Sequence, residues 1–168
     1  MALRNTIPNN GLQLLVQFLG ITLESPKRRG LDDVIFILID FEHLRNIKKD
    51  STENFDNQVG IAVLETKNLI SSPPETAISR YGFVTGSHSY CASTTRKFLF
   101  ETIGMHQRDI LTRLESLIIG TRDIFLVGHD FNHTLNILQY LKFDLHMTIV
   151  GLLDTQTIAS KMMQSIQH

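Results

Sequence analysis

Two carboxylates stand close together directly after an apolar run. The residues from Val34 to Ile39 read VIFILI, and Asp40 and Glu42 follow with Phe41 between them. Side chains at positions i and i+2 of a strand point to the same face of a sheet, so we expect both acids to point the same way. Adjacent negative charges repel, and burial increases the penalty. A divalent cation with oxygen ligands would relieve it, whereas solvation of both acids at the strand end is the alternative.

A second polar group follows a second apolar strand. Residues 124–128 read IFLVG, and His129 and Asp130 come next. We expect Asp130 to cap the following helix, because a side-chain oxygen at that position accepts from free backbone N–H groups. The alternative is that Asp130 acts as a further metal ligand. His129 and His133 are four residues apart, a spacing that allows metal binding on one helix face, although surface positions are the simpler interpretation.

The hydrophobic pattern predicts one α/β domain over residues 31–168, preceded by an N-terminal helix and linker over residues 1–30. The predicted order is helix, three strands, helix, strand, helix, strand, helix. Three consecutive strands favour an antiparallel arrangement, and strand–helix alternation favours parallel additions. We therefore expect a five-stranded mixed sheet with helices on both faces. Its central strands should be Val34–Ile39 and Ile124–Val127, because both are apolar on two sides.

The composition excludes some classes of protein. A net charge of −1 over 168 residues gives no global basic field for nucleic acid, so only the short runs at 27–29 and 48–49 form candidate basic patches. The single Cys91 excludes an intramolecular disulfide and suits a reducing compartment. No apolar run reaches the roughly 18 residues of a membrane helix. We expect a cytoplasmic or nuclear protein without a membrane span.

Three motifs in order resemble a known superfamily. They are ILIDFE, FLVGHDFNHTLNIL and VGLLDTQTIA, within Val34 to Ala159. They are similar to motifs of the DEDDh 3′–5′ exonucleases, which have the ribonuclease H-like fold. The closest resemblance is to the fungal exonuclease-like domain found in the yeast "good for full DEAD-box activity" protein and its relatives.

The resemblance implies a particular metal site. In that family four acids and one histidine hold two Mg²⁺ or Mn²⁺ ions, which align a water for in-line attack on the terminal phosphodiester. Asp40 and Glu42 match the first two acids. The third acid position is occupied by Thr134, and Asp130 would replace it only after a rearrangement of the turn. The last motif, a helix with the histidine and fourth acid, has no counterpart before His168, so we expect a C-terminally truncated version of the fold.

These departures favour a degenerate exonuclease-like domain that binds without efficient catalysis. Its partner would be single-stranded RNA or DNA, another protein, or a second copy bound through sheet surface that the missing helix leaves uncovered. An active Mg²⁺- or Mn²⁺-dependent exonuclease and a fragment of a longer enzyme remain alternatives. The nucleic-acid-binding candidates are Phe41, His43 and His129, with Tyr81, Phe83 and Tyr90 as further aromatic residues able to stack bases.

Overall fold

A mixed sheet of six strands forms the centre of the described part of the chain. The structure is a computed structural model, and it describes residues 34–43, 53–68, 73–118, 122–129, 131–143 and 149–166. The strands are β1 (Val34–Glu42), β2 (Asn57–Glu65), β3 (Ile78–Thr85), β4 (Thr102–Gly104), β5 (Asp123–Gly128) and β6 (Ile149–Asp154). The helices are α1 (Pro74–Ala77), α2 (His88–Thr95), α3 (Ile110–Ile118), α4 (Phe131–Tyr140) and α5 (Thr155–Ile166), with a 3₁₀ turn at Gln107–Asp109.

The strands lie in the order β4-β3-β2-β1-β5-β6. β1, β2 and β3 are antiparallel neighbours, and β5 and β6 add to β1 in parallel, which confirms both predicted arrangements. β1 and β5 are interior strands, as their apolar sequences predicted. The predicted count of five strands is wrong. β4 has three residues and pairs in parallel with β3, and it is too short to show an alternating pattern.

One face of the sheet, called the core face here, carries the main core. Every second residue of β1 from Ile35 to Phe41 is buried there against α3 and α4. β5 contributes Ile124 and Leu126 to the same core. The helix residues that join this core are Ile110, Leu114, Ile118, Phe131, Ile137 and Leu138. The apolar stripes of α3 and α4 therefore fix these two helices on the core face.

The opposite side, to which Phe36, Leu38, Asp40 and Glu42 point, is called the open face here. α5 packs over its β5–β6 part, where Ile158 contacts a small cluster built around Phe125 and Leu153. α2 packs over its β3–β4 part. With α3 and α4 on the core face and α2 and α5 on the open face, the prediction of helices on both faces is confirmed. Between α2 and α5, the side chain of Leu38 is 40% exposed. A strip of β1 and β2 thus stays accessible in the middle of the sheet.

Several predictions concern residues outside the described ones. They include the N-terminal helix and linker at 1–30, the domain start at 31, the basic runs at 27–29 and 48–49, Asp130, and His168. Among the residues that are described, no helix combines the length and the apolar character needed to cross a membrane.

Candidate functional site

Asp40 and Glu42 lie side by side on the open face, in the last part of β1. Both side chains are exposed, while Phe41 between them is only 6% exposed and packs in the main core. The shared direction of the two acids follows from strand alternation, as expected. Because both carboxylates are exposed, the expected burial penalty is absent. Water also weakens the repulsion between the two charges. Directly after Glu42, His43 adopts a left-handed φ of 65°, which ends the extended backbone of β1.

The neighbouring strand β2 leaves room beside Asp40. Asp40 pairs with Gly60, and Glu42 pairs with Gln58. A Cβ atom placed on Gly60 would meet no other atom within 4 Å. Direct partners on antiparallel strands lie about 5 Å apart. The acids therefore lie beside an open space above Gly60, where the sheet carries no side chain.

On the other side of β1, the end of β5 brings a histidine to the same edge. β5 runs parallel to β1, and the last paired residues of the two strands are Leu38 and Val127, so His129 follows β5 at the same edge of the sheet as Asp40 and Glu42. The imidazole is exposed, and its Nδ1 lies 3.2 Å from the hydroxyl of Thr155. Thr155 donates its only hydroxyl proton to the carbonyl of Gly128 at 3.0 Å. Its oxygen must then accept from Nδ1–H of His129, which leaves Nε2 of the neutral ring with a free lone pair.

Thr134 does not join the acids. Its side chain is 7% exposed and lies on the buried side of α4, which packs against the core face. Asp40 and Glu42 point to the opposite face. The start of α4 is fixed by Gly128, because a Cβ there would lie 2.7 Å from the ring of Phe131. The position that the resemblance assigns to the third acid is thus occupied by a buried hydroxyl residue on the other side of the sheet.

The metal-binding potential of the described residues rests on the acid pair. No group of three or more histidine, cysteine, aspartate or glutamate side chains among them is close enough to enclose an ion. Two carboxylates do fit Mg²⁺ or Mn²⁺, because Mg²⁺ keeps several waters and completes its shell with one or two carboxylates and a substrate phosphate. Asp154 has another role. It caps α5, accepting from the backbone N–H of Gln156 and the hydroxyl of Thr157, both at 3.0 Å.

The aromatic candidates divide between core and surface. Phe41 and Phe83 are buried in the main core, and Tyr81 packs against it, which argues against base stacking by these three rings. Strand alternation sends the ring of Phe41, one of the predicted nucleic-acid contacts, to the core face. His43 and His129 are exposed at the edge that carries the acids. Of the aromatic candidates, Tyr90 lies on the open face, where its phenolic oxygen accepts from the Gln58 amide.

Gln58 was missed by sequence reasoning. Its side-chain amide donates to the phenolic oxygen of Tyr90 at 2.8 Å, across 32 residues of sequence. Gln58 is also the direct strand partner of Glu42. A glutamine in an alternating strand carries no local signal of this kind, since the contact arises only from the register of β2 and the placement of α2.

Neither a scan against protein-family models nor a search of curated proteins found a match to this chain. We therefore base a functional proposal on the geometry of the described residues and on the resemblance of the three motifs.

Proposed function

We propose that this chain is a degenerate DEDDh exonuclease-like domain that binds single-stranded RNA or DNA without hydrolysing it efficiently. The observation that carries the proposal is the exposed pair of Asp40 and Glu42 on the central strand, beside the open space at Gly60. The strand order supports a ribonuclease H-like fold: the antiparallel neighbours β2 and β3, followed by the short edge strand β4, lie on one side of β1, and the parallel strands β5 and β6 lie on the other.

The acid pair would bind nucleic acid through a cation. Bare carboxylates repel phosphate, so binding at this place depends on Mg²⁺ or Mn²⁺ held by Asp40 and Glu42. Asp40 and Glu42 would hold the ion, and a bound cation would supply the positive charge that a phosphate oxygen needs at this place. Binding by the domain should therefore be lost in a chelator.

Weak catalysis follows from the residues that surround the pair. The resemblance places the third acid at Thr134, whose neutral hydroxyl belongs to the core face. No third carboxylate therefore supplies negative charge there for a second metal ion. Metal ions supply much of the transition-state stabilisation in phosphodiester hydrolysis. Two carboxylates suffice to hold one ion, whereas a two-metal site stabilises both the attacking and the leaving oxygen.

An active exonuclease is the alternative, and His129 favours it. The bond to Thr155 leaves its Nε2 available as a proton acceptor at the edge of the sheet that carries Asp40. A general base of this type typically contributes about 10²- to 10⁴-fold to a rate. In that case Asp40, Glu42 and His129 would carry out the hydrolysis in place of the four acids and one histidine that the resemblance implies.

The test combines binding and cleavage on the same samples. End-labelled single-stranded RNA and DNA are incubated with the wild type and with the Asp40→Ala, Glu42→Ala double variant in Mn²⁺. We expect Mn²⁺-dependent binding by the wild type only, and negligible shortening of the label by either protein. Cleavage by the wild type alone would establish the exonuclease instead. Equal, chelator-resistant binding by both proteins, or none, would refute a role for the acids.

A protein partner, or a second copy of the chain, is the further candidate, and it rests on Leu38. This side chain is 40% exposed in the middle of the central strand, where large apolar residues are usually covered. Self-association through the open face predicts a dimer mass in light scattering that Leu38→Lys converts to a monomer mass. A wild type that is monomeric at high concentration would exclude the second copy.

A further inference from the structure

The strip of β1 and β2 between α2 and α5 is a groove with an apolar floor, called the central groove here. α2 lies over β3 and β4, and α5 lies over β5 and β6, so these two helices form its walls. An apolar floor in the middle of a sheet is usually covered by a further layer of structure. The floor consists of five side chains that are half-buried or exposed, which are Phe36, Leu38, Ala62, Leu64 and Val127.

The width of the central groove corresponds to one helix. In the strand order of the sheet, four strand spacings separate the middle of the β3–β4 pair from the middle of the β5–β6 pair. Neighbouring strands lie about 4.8 Å apart, so this spacing places the axes of α2 and α5 about 19 Å from each other. Packed helices lie about 8–10 Å apart. One further helix between α2 and α5 would therefore contact both of them and the floor.

One segment of this chain has the composition that such a position requires. Residues 11–22, which lie outside the described part of the structure, read GLQLLVQFLGIT. Seven of these twelve residues are large and apolar, and Gln13 and Gln17, four positions apart, mark a single polar side in a helix. A helix that is apolar on most of its circumference needs cover on more than one side. A floor and two helical walls supply that cover.

The dimensions of the segment and its connection to the sheet agree with this position. A helix of twelve residues is about 18 Å long, and the open face of β1 from Phe36 to Glu42 spans about 20 Å. Residues 23–33 connect the segment to Val34, the first described residue. A chain of that length reaches at most about 40 Å. The segment can therefore reach the central groove of its own chain.

We propose, independently of the proposed function, that residues 11–22 form a helix that occupies the central groove antiparallel to β1. This direction places the end of the helix next to the start of β1 and its beginning next to Asp40 and Glu42. The positive end of the helix dipole then faces the two carboxylates, and the cationic Arg4 belongs to the stretch just before it. The space above Gly60, where a Cβ would meet no atom within 4 Å, accommodates a side chain of the segment. The docked segment covers the floor and limits access to the acid pair.

Paramagnetic relaxation enhancement in the full chain tests where the segment lies. Cys91→Ser removes the single cysteine, and Gln13→Cys then carries a nitroxide label on the polar side of the segment, away from the floor. The label should strongly broaden the amide signals of the open face, among them Leu38 and His129. It should leave the signal of Ser116, on the exposed side of α3 at the core face, nearly unchanged.

Two matched pairs of variants test the contact from both sides. Leu15→Glu places a charge on the apolar side of the segment and should abolish the broadening of the open face. Gln17→Glu places the same charge on the polar side and should preserve the broadening. Leu38→Lys changes the floor and should also abolish it, whereas Ser79→Lys, at an exposed position of β3 on the core-face side, should preserve it.

A second copy of the chain is the other occupant that the experiment detects. A mixture of ¹⁵N-labelled chain without nitroxide and nitroxide-labelled chain without ¹⁵N should show no broadening, because the proposed contact lies within one chain. Broadening of the open face in that mixture would assign the central groove to a second copy and overturn the proposal. A nitroxide at position 13 that broadens neither face, or both faces equally, would overturn it too. The same holds for broadening that persists in both Leu15→Glu and Leu38→Lys.

Discussion

The Nδ1 atom of His129 and the hydroxyl oxygen of Thr155 lie 3.2 Å apart at the edge of the sheet that carries the acids. Since the Thr155 hydroxyl proton is used by the carbonyl of Gly128, the imidazole must be the donor. One hydrogen bond thus selects the tautomer of His129 and orients Nε2 away from Thr155. The same device orients histidines that bind metals or move protons.

The tautomer is directly measurable. In the wild type, ¹H–¹⁵N correlation spectra of the imidazoles should show neutral His129 mainly as the Nδ1–H form. Thr155→Val removes the acceptor, so the Nε2–H form should increase, while Thr155→Ser should preserve the wild-type spectrum. A wild-type spectrum dominated by Nε2–H would contradict the hydrogen-bond assignment.

The acid pair should cost stability when no cation is bound. Asp40 and Glu42 point the same way on one strand, and like charges at this range repel. We expect Asp40→Asn or Glu42→Gln to raise the free energy of unfolding by up to about 0.5 kcal/mol in metal-free, low-salt buffer. The gain should shrink in 1 M salt, which screens exposed charges.

Urea denaturation measures this gain, and Asp109→Asn is a suitable control. Asp109 is an exposed acid whose carboxylate lies 3.8 Å from the Arg108 guanidinium, so its removal should give no gain. A loss of stability in both acid variants at every salt concentration would assign Asp40 and Glu42 a structural role instead.

A substitution of Thr134 by aspartate tests whether the missing third acid can be restored. A carboxylate at this position, which is 7% exposed in the core face, should lower the free energy of unfolding by at least about 2 kcal/mol at pH 7. Burial raises the pKa of such a carboxyl, so the charge-dependent loss should be complete above the raised pKa of the folded state and should diminish as pH falls through it toward the pKa of the unfolded chain.

Denaturation of Thr134→Asp and Thr134→Val at pH 7 and pH 4 measures the difference. The valine variant removes the hydroxyl without adding charge, and it should show no comparable dependence on pH. A stable Thr134→Asp protein that gains Mn²⁺-dependent nuclease activity would show that this position faces Asp40 and Glu42 after all.

The parts of the fold that the sequence predicts are those with strong local patterns. The apolar runs of β1 and β5 require cover on both sides, so their interior places were predictable. α2 was not, because its serines and threonines form no apolar stripe. The burial of Thr134 has a signal in retrospect, since it shares helical spacing with Phe131 and Leu138. The Gln58–Tyr90 contact has none, because it joins two elements through tertiary register.

Glu65 ties the end of β2 to the start of β5. Its carboxylate lies 3.0 Å from the Arg122 guanidinium and 2.8 Å from the Lys67 ammonium. The hydrogen bond from Arg122, and next that from Lys67, hold the pKa of Glu65 below its usual value. A depressed pKa means that the folded state favours the charged form, so this contribution is present above the unfolded pKa and is lost as pH falls through the folded pKa.

Glu65→Gln should therefore destabilise the protein at pH 7 and cease to do so in acid. Its carboxylate is 29% exposed, so water weakens the pair and the loss at pH 7 should stay within about 1 kcal/mol. Urea titrations at pH 7, 5 and 3 should show the gap between wild type and variant closing toward pH 3. The exposed Glu101, changed to glutamine, provides the control. A gap that is constant from pH 7 to pH 3 would mean that the side-chain amide disturbs packing, and that the charge of Glu65 contributes nothing to joining β2 and β5.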